Sequence, residues 1–140
     1  MAGYSGTPLA KKLGLREGAT VALLGVPEGF VDTLEPLPAG ITLRADLRAK
    51  CDVIVFCADR AATLERRAPA LRRALVEDGG LWLCWPKRAS GVPTDLEFAR
   101  VQACGLGLGL VDNKTCAVDE TWSGLRFVVR RADRKSGGSR

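Results

Sequence analysis

Lys87, Arg88 and Ser90 stand close together just after the apolar run Leu81 to Trp85 and its closing Pro86. Two cations and a hydroxyl in a turn-rich loop suit recognition of an anionic group. A second cluster, Asp119, Glu120, Thr121 and Trp122, combines carboxylates able to take a proton with a hydroxyl and a ring on which a flat group can stack. The segment from Gly25 to Gly29 carries Glu28, and its glycines would let backbone amides approach a phosphate or carboxylate. Asp59 follows another apolar run, Asp52 to Cys57. The general-base candidates are Lys87, Glu28, Asp119 and Glu120. Each residue also has a plain structural use: the acids suit a hairpin turn, Trp122 suits packing between loops, and Lys87 suits a solvated loop.

The chain contains no histidine. That removes the commonest general base, the usual partner of a Ser or Cys nucleophile, and a common zinc ligand. Five cysteines, Cys51, Cys57, Cys84, Cys104 and Cys116, include no C-x-x-C pair. They read as small buried hydrophobes in a reducing compartment, with no metal site among them. Neither G-x-x-x-x-G-K-[ST] nor G-x-G-x-x-G occurs, so the Gly25 loop lacks a nucleotide fingerprint.

The elements that must position these residues follow from periodicity and punctuation. Gly79 to Leu96 predicts a buried central strand, a decorated loop from Pro86 to Pro93, and a helix start at Thr94, with Thr94 and Glu97 as a capping box. Upstream, Thr7-Pro8 predicts a helix that ends at Gly14. Val21 to Leu24 is the first parallel strand, and Val31 to Leu34 a short helix. Ile41 to Arg44 and Asp52 to Cys57 are further strands. The segment Ala45 to Lys50 between them is too short for a crossover helix. Asp59 is placed to cap a helix whose Leu64, Ala68, Leu71 and Leu75 share one face, with Pro69 kinking or restarting it. The helix after Thr94 is expected to end at Gly105. Val111 to Val118 and Leu125 to Arg131 close the chain as a hairpin.

Composition and charge bound the class. A chain with 46% apolar and 26% charged residues reads as one globular α/β domain over residues 1–131, followed by a basic flexible tail over 132–140. Residues 130–140 carry five basic side chains against one acid, so +4 of the net +5 lies there. The body is nearly neutral, which argues against a nucleic-acid face, and deleting the tail should abolish any weak, salt-sensitive DNA binding. No apolar run reaches the ~18 residues of a membrane span, and the N-terminus has no secretory pattern. The expected compartment is the cytoplasm.

The order β-β-β-α-β-α-β-β, the glycine loop after Val21 to Leu24, the late strand at Leu81 to Trp85 and the closing hairpin resemble the class I methyltransferase architecture in reduced form. The resemblance implies a single three-layer, Rossmann-like, mainly parallel sheet with a C-terminal antiparallel hairpin, and S-adenosylmethionine or a nucleotide as cofactor. Two departures stand out. Leu23 occupies the position where that family has an acid before the glycines, and one strand unit is absent, so weak or no binding of S-adenosylmethionine is expected. SGTPLAKKLG, WPKRASGVPTDL and LVDNKTCAVDETWSGLRFVVRR also resemble signature segments of a bacterial family described only as a domain of unknown function.

In a mainly parallel sheet the loops at Gly25, Asp59, Lys87 and Asp119 converge on one edge. The expected function is a non-catalytic binding or regulatory module that holds a small anionic ligand or a protein partner there. The alternatives are an S-adenosylmethionine-dependent methyltransferase, degenerate or active, and an enzyme using Lys87 or a loop carboxylate as general base.

Overall fold

The computed structural model describes residues 7–134. Its strands are β1 (Thr20–Leu24), β2 (Thr42–Arg44), β3 (Cys51–Cys57), β4 (Leu75–Pro86), β5 (Leu110–Ala117) and β6 (Trp122–Val129). The α-helices are α1 (Leu9–Leu13), α2 (Ala61–Ala74) and α3 (Phe98–Gly107). The strands form one sheet in the order β2-β1-β3-β4-β6-β5. The first four in that order run parallel, and β6 is antiparallel to both β4 and β5. This is the mainly parallel α/β sheet with a closing hairpin that the sequence predicts.

Strand alternation divides the core in two. Ala22, Leu24, Ile54, Phe56, Leu81, Leu83, Trp85, Leu125, Phe127 and Val129 face one side, where Leu64 and Leu71 of α2 and Val101 of α3 cover them. Val21, Leu23, Val53, Val55, Trp82 and Cys84 face the other, under Leu13 of α1 and the loop residues Phe30 and Leu34. A central strand buried on both faces must be apolar throughout, which is why β1, β3 and the second half of β4 read as continuous apolar runs.

Four local expectations are corrected. Strand β4 begins at Leu75, well before the expected Leu81, because Leu75 pairs with Cys51 before a register shift near Val53 brings Gly80 into line. Pro69 lies inside α2, which continues through it, so the helix does not restart there. Helix α3 starts at Phe98, with Glu97 as an N-cap that makes no side-chain cap bond, so Thr94 and Glu97 form no capping box. Gly105 lies within α3, and the positive φ of 81° falls on Gly109. The glycine at 105 is needed for space instead: a Cβ there would strike the ring of Phe127.

Of the expected tail, Ala132 and Asp133 belong to a 3-10 turn that starts at Arg131, and Arg134 Nε donates to the Val129 carbonyl at 3.1 Å. Residues 135–140 lie outside the described residues.

Candidate functional site at the carboxyl edge

Strand β1 sits between β2 and β3, so the chain leaves β1 to one side and returns on the other. The crevice at such a reversal, beyond the carboxyl ends of the strands, is where open α/β sheets bind ligands. Gly25 ends β1 there with φ 67°. Its α-carbon lies so close to the end of β3 that a Cβ would strike the Cys57 carbonyl oxygen. Only glycine meets both conditions. Gly29 follows at φ 83° with open space around it, and Glu28 is exposed.

Beyond β2, Asp46 Oδ1 accepts from Arg44 Nη2 at 2.7 Å and from the Arg48 amide at 3.1 Å. The Arg48 amide, then Arg44, hold this carboxyl below its ordinary range. It therefore stays ionised. The sequence reading missed it, because an acid after a three-residue edge strand carries no local motif.

At the end of β3, Asp59 is exposed and does not cap α2. The Asp59 carbonyl accepts from Thr94 Oγ1 at 2.7 Å, and Asp95 Oδ1 accepts from the Ala61 amide at 2.7 Å. The residues expected to start α3 thus tie the loop after β4 to the first turn of α2. Ser90 serves the same loop internally, donating to the Lys87 carbonyl at 2.7 Å and accepting from the Val92 amide at 3.2 Å.

Asp119 shapes the β5–β6 turn, its Oδ1 accepting from the amides of Thr121 at 2.8 Å and Trp122 at 2.7 Å. This is an Asx-type turn. The Lys87 amide donates to the Thr121 carbonyl at 2.7 Å, and Pro86 pairs with Trp122. Lys87 and Trp122 therefore share an edge. They do not share a face: Trp122 packs with Cys116 and the Trp82 cluster, whereas Lys87 lines a groove with Trp85 and Ser123. Strand alternation imposes that split, and it separates two residues that the sequence reading joined in one pocket.

The groove has a volume of about 970 Å³ and runs from Trp85 and Lys87 over Pro93 to Phe98. Trp85 and Phe98 meet edge to face, with centroids 6.3 Å apart. Arg88 is almost fully exposed and pairs with Glu97 at 3.9 Å. Glu28, Lys87 and Glu120 make no side-chain hydrogen bond or ion pair among the described residues. On the other face, hydrogen bonding to Cys57 and then burial push the Cys84 thiol well up, and burial pushes up Cys116 against the pull of Lys12, Lys114 and Lys87. At neutral pH these sulfurs are packing groups, not nucleophiles.

No family model matches the chain. No curated protein matches it either. Solved structures do. A ribosomal protein L11 methylase from Lactobacillus delbrueckii subsp. bulgaricus aligns over 88% of this chain and 75% of its own, at TM-score 0.61 and 17% identity. A SAM-dependent methyltransferase from Aquifex aeolicus aligns over 86% and 87%, at TM-score 0.60 and 14% identity. Magnesium protoporphyrin IX methyltransferase from Synechocystis PCC 6803 aligns over 87% and 74%, at TM-score 0.57 and 10% identity.

The fold is methyltransferase-like. The expectation of a non-catalytic binding or regulatory module is corrected by these likenesses, which favour the methyltransferase alternative. Within the methyltransferase-like fold, the Gly25 loop occupies the end of the first strand, and the Trp85–Phe98 groove lies beyond the last parallel strand.

Proposed function

We propose that the protein is an S-adenosylmethionine-dependent methyltransferase. The observation that carries this reading is the Gly25 turn at the reversal between β1 and β3, with Asp46 ionised beyond β2. Asp46 follows Gly25 by roughly the spacing at which Rossmann-type crevices hold an acid for ribose hydroxyls. The residues fit a nucleoside cofactor in that respect: free backbone at a glycine turn for its charged end, and a carboxylate for its sugar. The Synechocystis methyltransferase was crystallised with bound SAM. When bound, the cofactor would supply an electrophilic methyl group on sulfur.

The chain's own part in this reading is orientation. The acceptor would lie in the groove walled by Trp85 and Phe98, with the cations of Lys87 and Arg88 favouring an acceptor that is flat and negatively charged. Glu28 and Glu120 are the carboxylates available to receive a proton. The buried Leu23 and the absent strand unit leave fewer contacts than a full-length fold offers, so the affinity for cofactor is modest. The cytoplasm is the proposed compartment, supported by five cysteines that are all thiols. The segments SGTPLAKKLG and WPKRASGVPTDL support placing the chain in the bacterial family they resemble.

Isothermal titration with S-adenosylmethionine tests the reading. Saturable binding tighter than about 1 mM, equivalent to about −4 kcal/mol, is expected, with at least ten-fold loss in Asp46→Asn. Absence of binding, or equal binding by Asp46→Asn, overturns the assignment of this crevice.

A further inference from the structure

Helix α1 and the segment that leads into β2 border a cavity of about 400 Å³ that the proposed activity does not use. Both of its sides are anchored. Gly14 ends α1 at φ 83°, its amide donating to the Lys11 carbonyl at 3.1 Å, and the Leu15 amide donates to the Ala10 carbonyl at 3.0 Å. Leu13 and Leu15 are buried there. On the other side, Leu34 is buried, Leu37 packs against the same core, and the Gly18 amide donates to the Ala39 carbonyl at 2.9 Å. Pro36 and Pro38, which line the cavity, are thus carried on a segment held at both ends. A proline ring has little conformational freedom to lose when a ligand packs on it.

The lining has a one-sided chemistry. The rings of Pro8, Pro36 and Pro38, with Ala10 and Leu15, offer apolar surface, and a proline has no amide proton to give. The carbonyls of Pro8, Ala10 and Lys11 are spent on the amides of Lys12, Leu15 and Gly14. The charged side chains that line the cavity are Lys11 and Arg16, and no carboxylate stands with them. Both are exposed, and among the described residues neither forms an ion pair or a side-chain hydrogen bond. Lys11 also suits the negative end of α1. Arg16 lies beyond the helix and has no such use.

We infer that this cavity binds a small carboxylate with an apolar body, the body against the prolines and the carboxylate on Arg16 and Lys11. The planar guanidinium fork suits two carboxylate oxygens, and the ammonium adds a point charge. The volume lies within the range of about 300–1,000 Å³ that small-molecule sites occupy. None of the lining residues belongs to the Gly25 turn, to Asp46 or to the Trp85–Phe98 groove. The site therefore stands or falls independently of the methyltransferase reading.

The test titrates the full chain with benzoate and, in parallel, with acetate and benzylamine. Ionic strength is matched with sodium chloride, because salt alone screens exposed cations. The amide resonances of Ala10, Gly14 and Leu15 and the melting temperature are the readouts. Benzoate should shift both saturably. Acetate, which has the charge without the apolar body, and benzylamine, which has the ring with the opposite charge, should act at least ten-fold more weakly. Affinity for benzoate should fall several-fold in Arg16→Gln and at least ten-fold in the double variant Lys11→Gln, Arg16→Gln, and stay unchanged in Arg66→Gln on α2. Both substituted side chains of the cavity are exposed, so the variants keep the fold. No saturable response to benzoate, an equal response to acetate or to benzylamine, or binding that survives the double substitution overturns the site.

Discussion

Asp95 and Glu97 are two acids two residues apart, and the structure gives them unequal work. Asp95 receives the Ala61 amide, one of the free donors at the start of α2, whereas Glu97 makes no cap bond for α3. Asp95→Ala should therefore cost about 1 kcal/mol in urea unfolding, and Glu97→Ala should leave the midpoint within error. Reversed effects would restore the capping box. Cys84 supplies a pH-dependent counterpart. Its folded pKa lies well above the ordinary thiol value of 9.0, so between those two values the unfolded chain loses a proton that the folded chain keeps. Stability contributed by the protonated thiol is complete below the unfolded pKa and declines as pH rises above it. Alkaline melts should show this fall from about pH 9, and Cys84→Ala should flatten it. An unchanged alkaline slope in Cys84→Ala would assign the effect elsewhere.

At the scale of elements, the α3–β6 contact turns on one missing side chain. Gly105 lets α3 settle onto Phe127, and Phe127 is fully buried in the middle of the sheet. Gly105→Ala improves helix propensity by about 1 kcal/mol and forces a methyl group into an aromatic ring. Overpacking outweighs propensity here, with a net loss of about 1–3 kcal/mol expected. A stabilised Gly105→Ala would mean that α3 stands further from the sheet. The same glycine marks what the sequence could tell. Apolar runs at Val21, Val53 and Leu81 made the central strands legible, and the alternation of Leu125, Phe127 and Val129 fixed the face of β6. Gly105 was misread as a helix end, because a helix end and a close approach both select glycine and only the packing partner separates them. Thr94 was misread for a related reason: its acceptor, the Asp59 carbonyl, is distant in sequence, as is the Ala61 amide that Asp95 receives. The carboxyl-edge loops were legible from strand direction alone, whereas the split between Lys87 and Trp122 required the register of Pro86 on Trp122.

For the whole molecule, the sheet acts as a partition with different chemistry at its two edges. The carboxyl edge carries the Gly25 turn, Asp46 and the Trp85–Phe98 groove, and the amino edge carries a cavity bordered by Arg126. The central strands between them are packed on both faces, so a ligand at one edge has no open path to the other. Hydrogen exchange can read this arrangement directly. Binding at a site slows exchange of the amides it orders, by the free energy that the ligand adds to closed states. S-adenosylmethionine should therefore slow exchange across Gly25 to Phe30 and at Asp46. It should leave Gly14 to Ala19 unaffected. If S-adenosylmethionine instead protects Gly14 to Ala19, the ligand occupies the amino edge or the sheet transmits the change, and the division of the molecule into two independent edges fails.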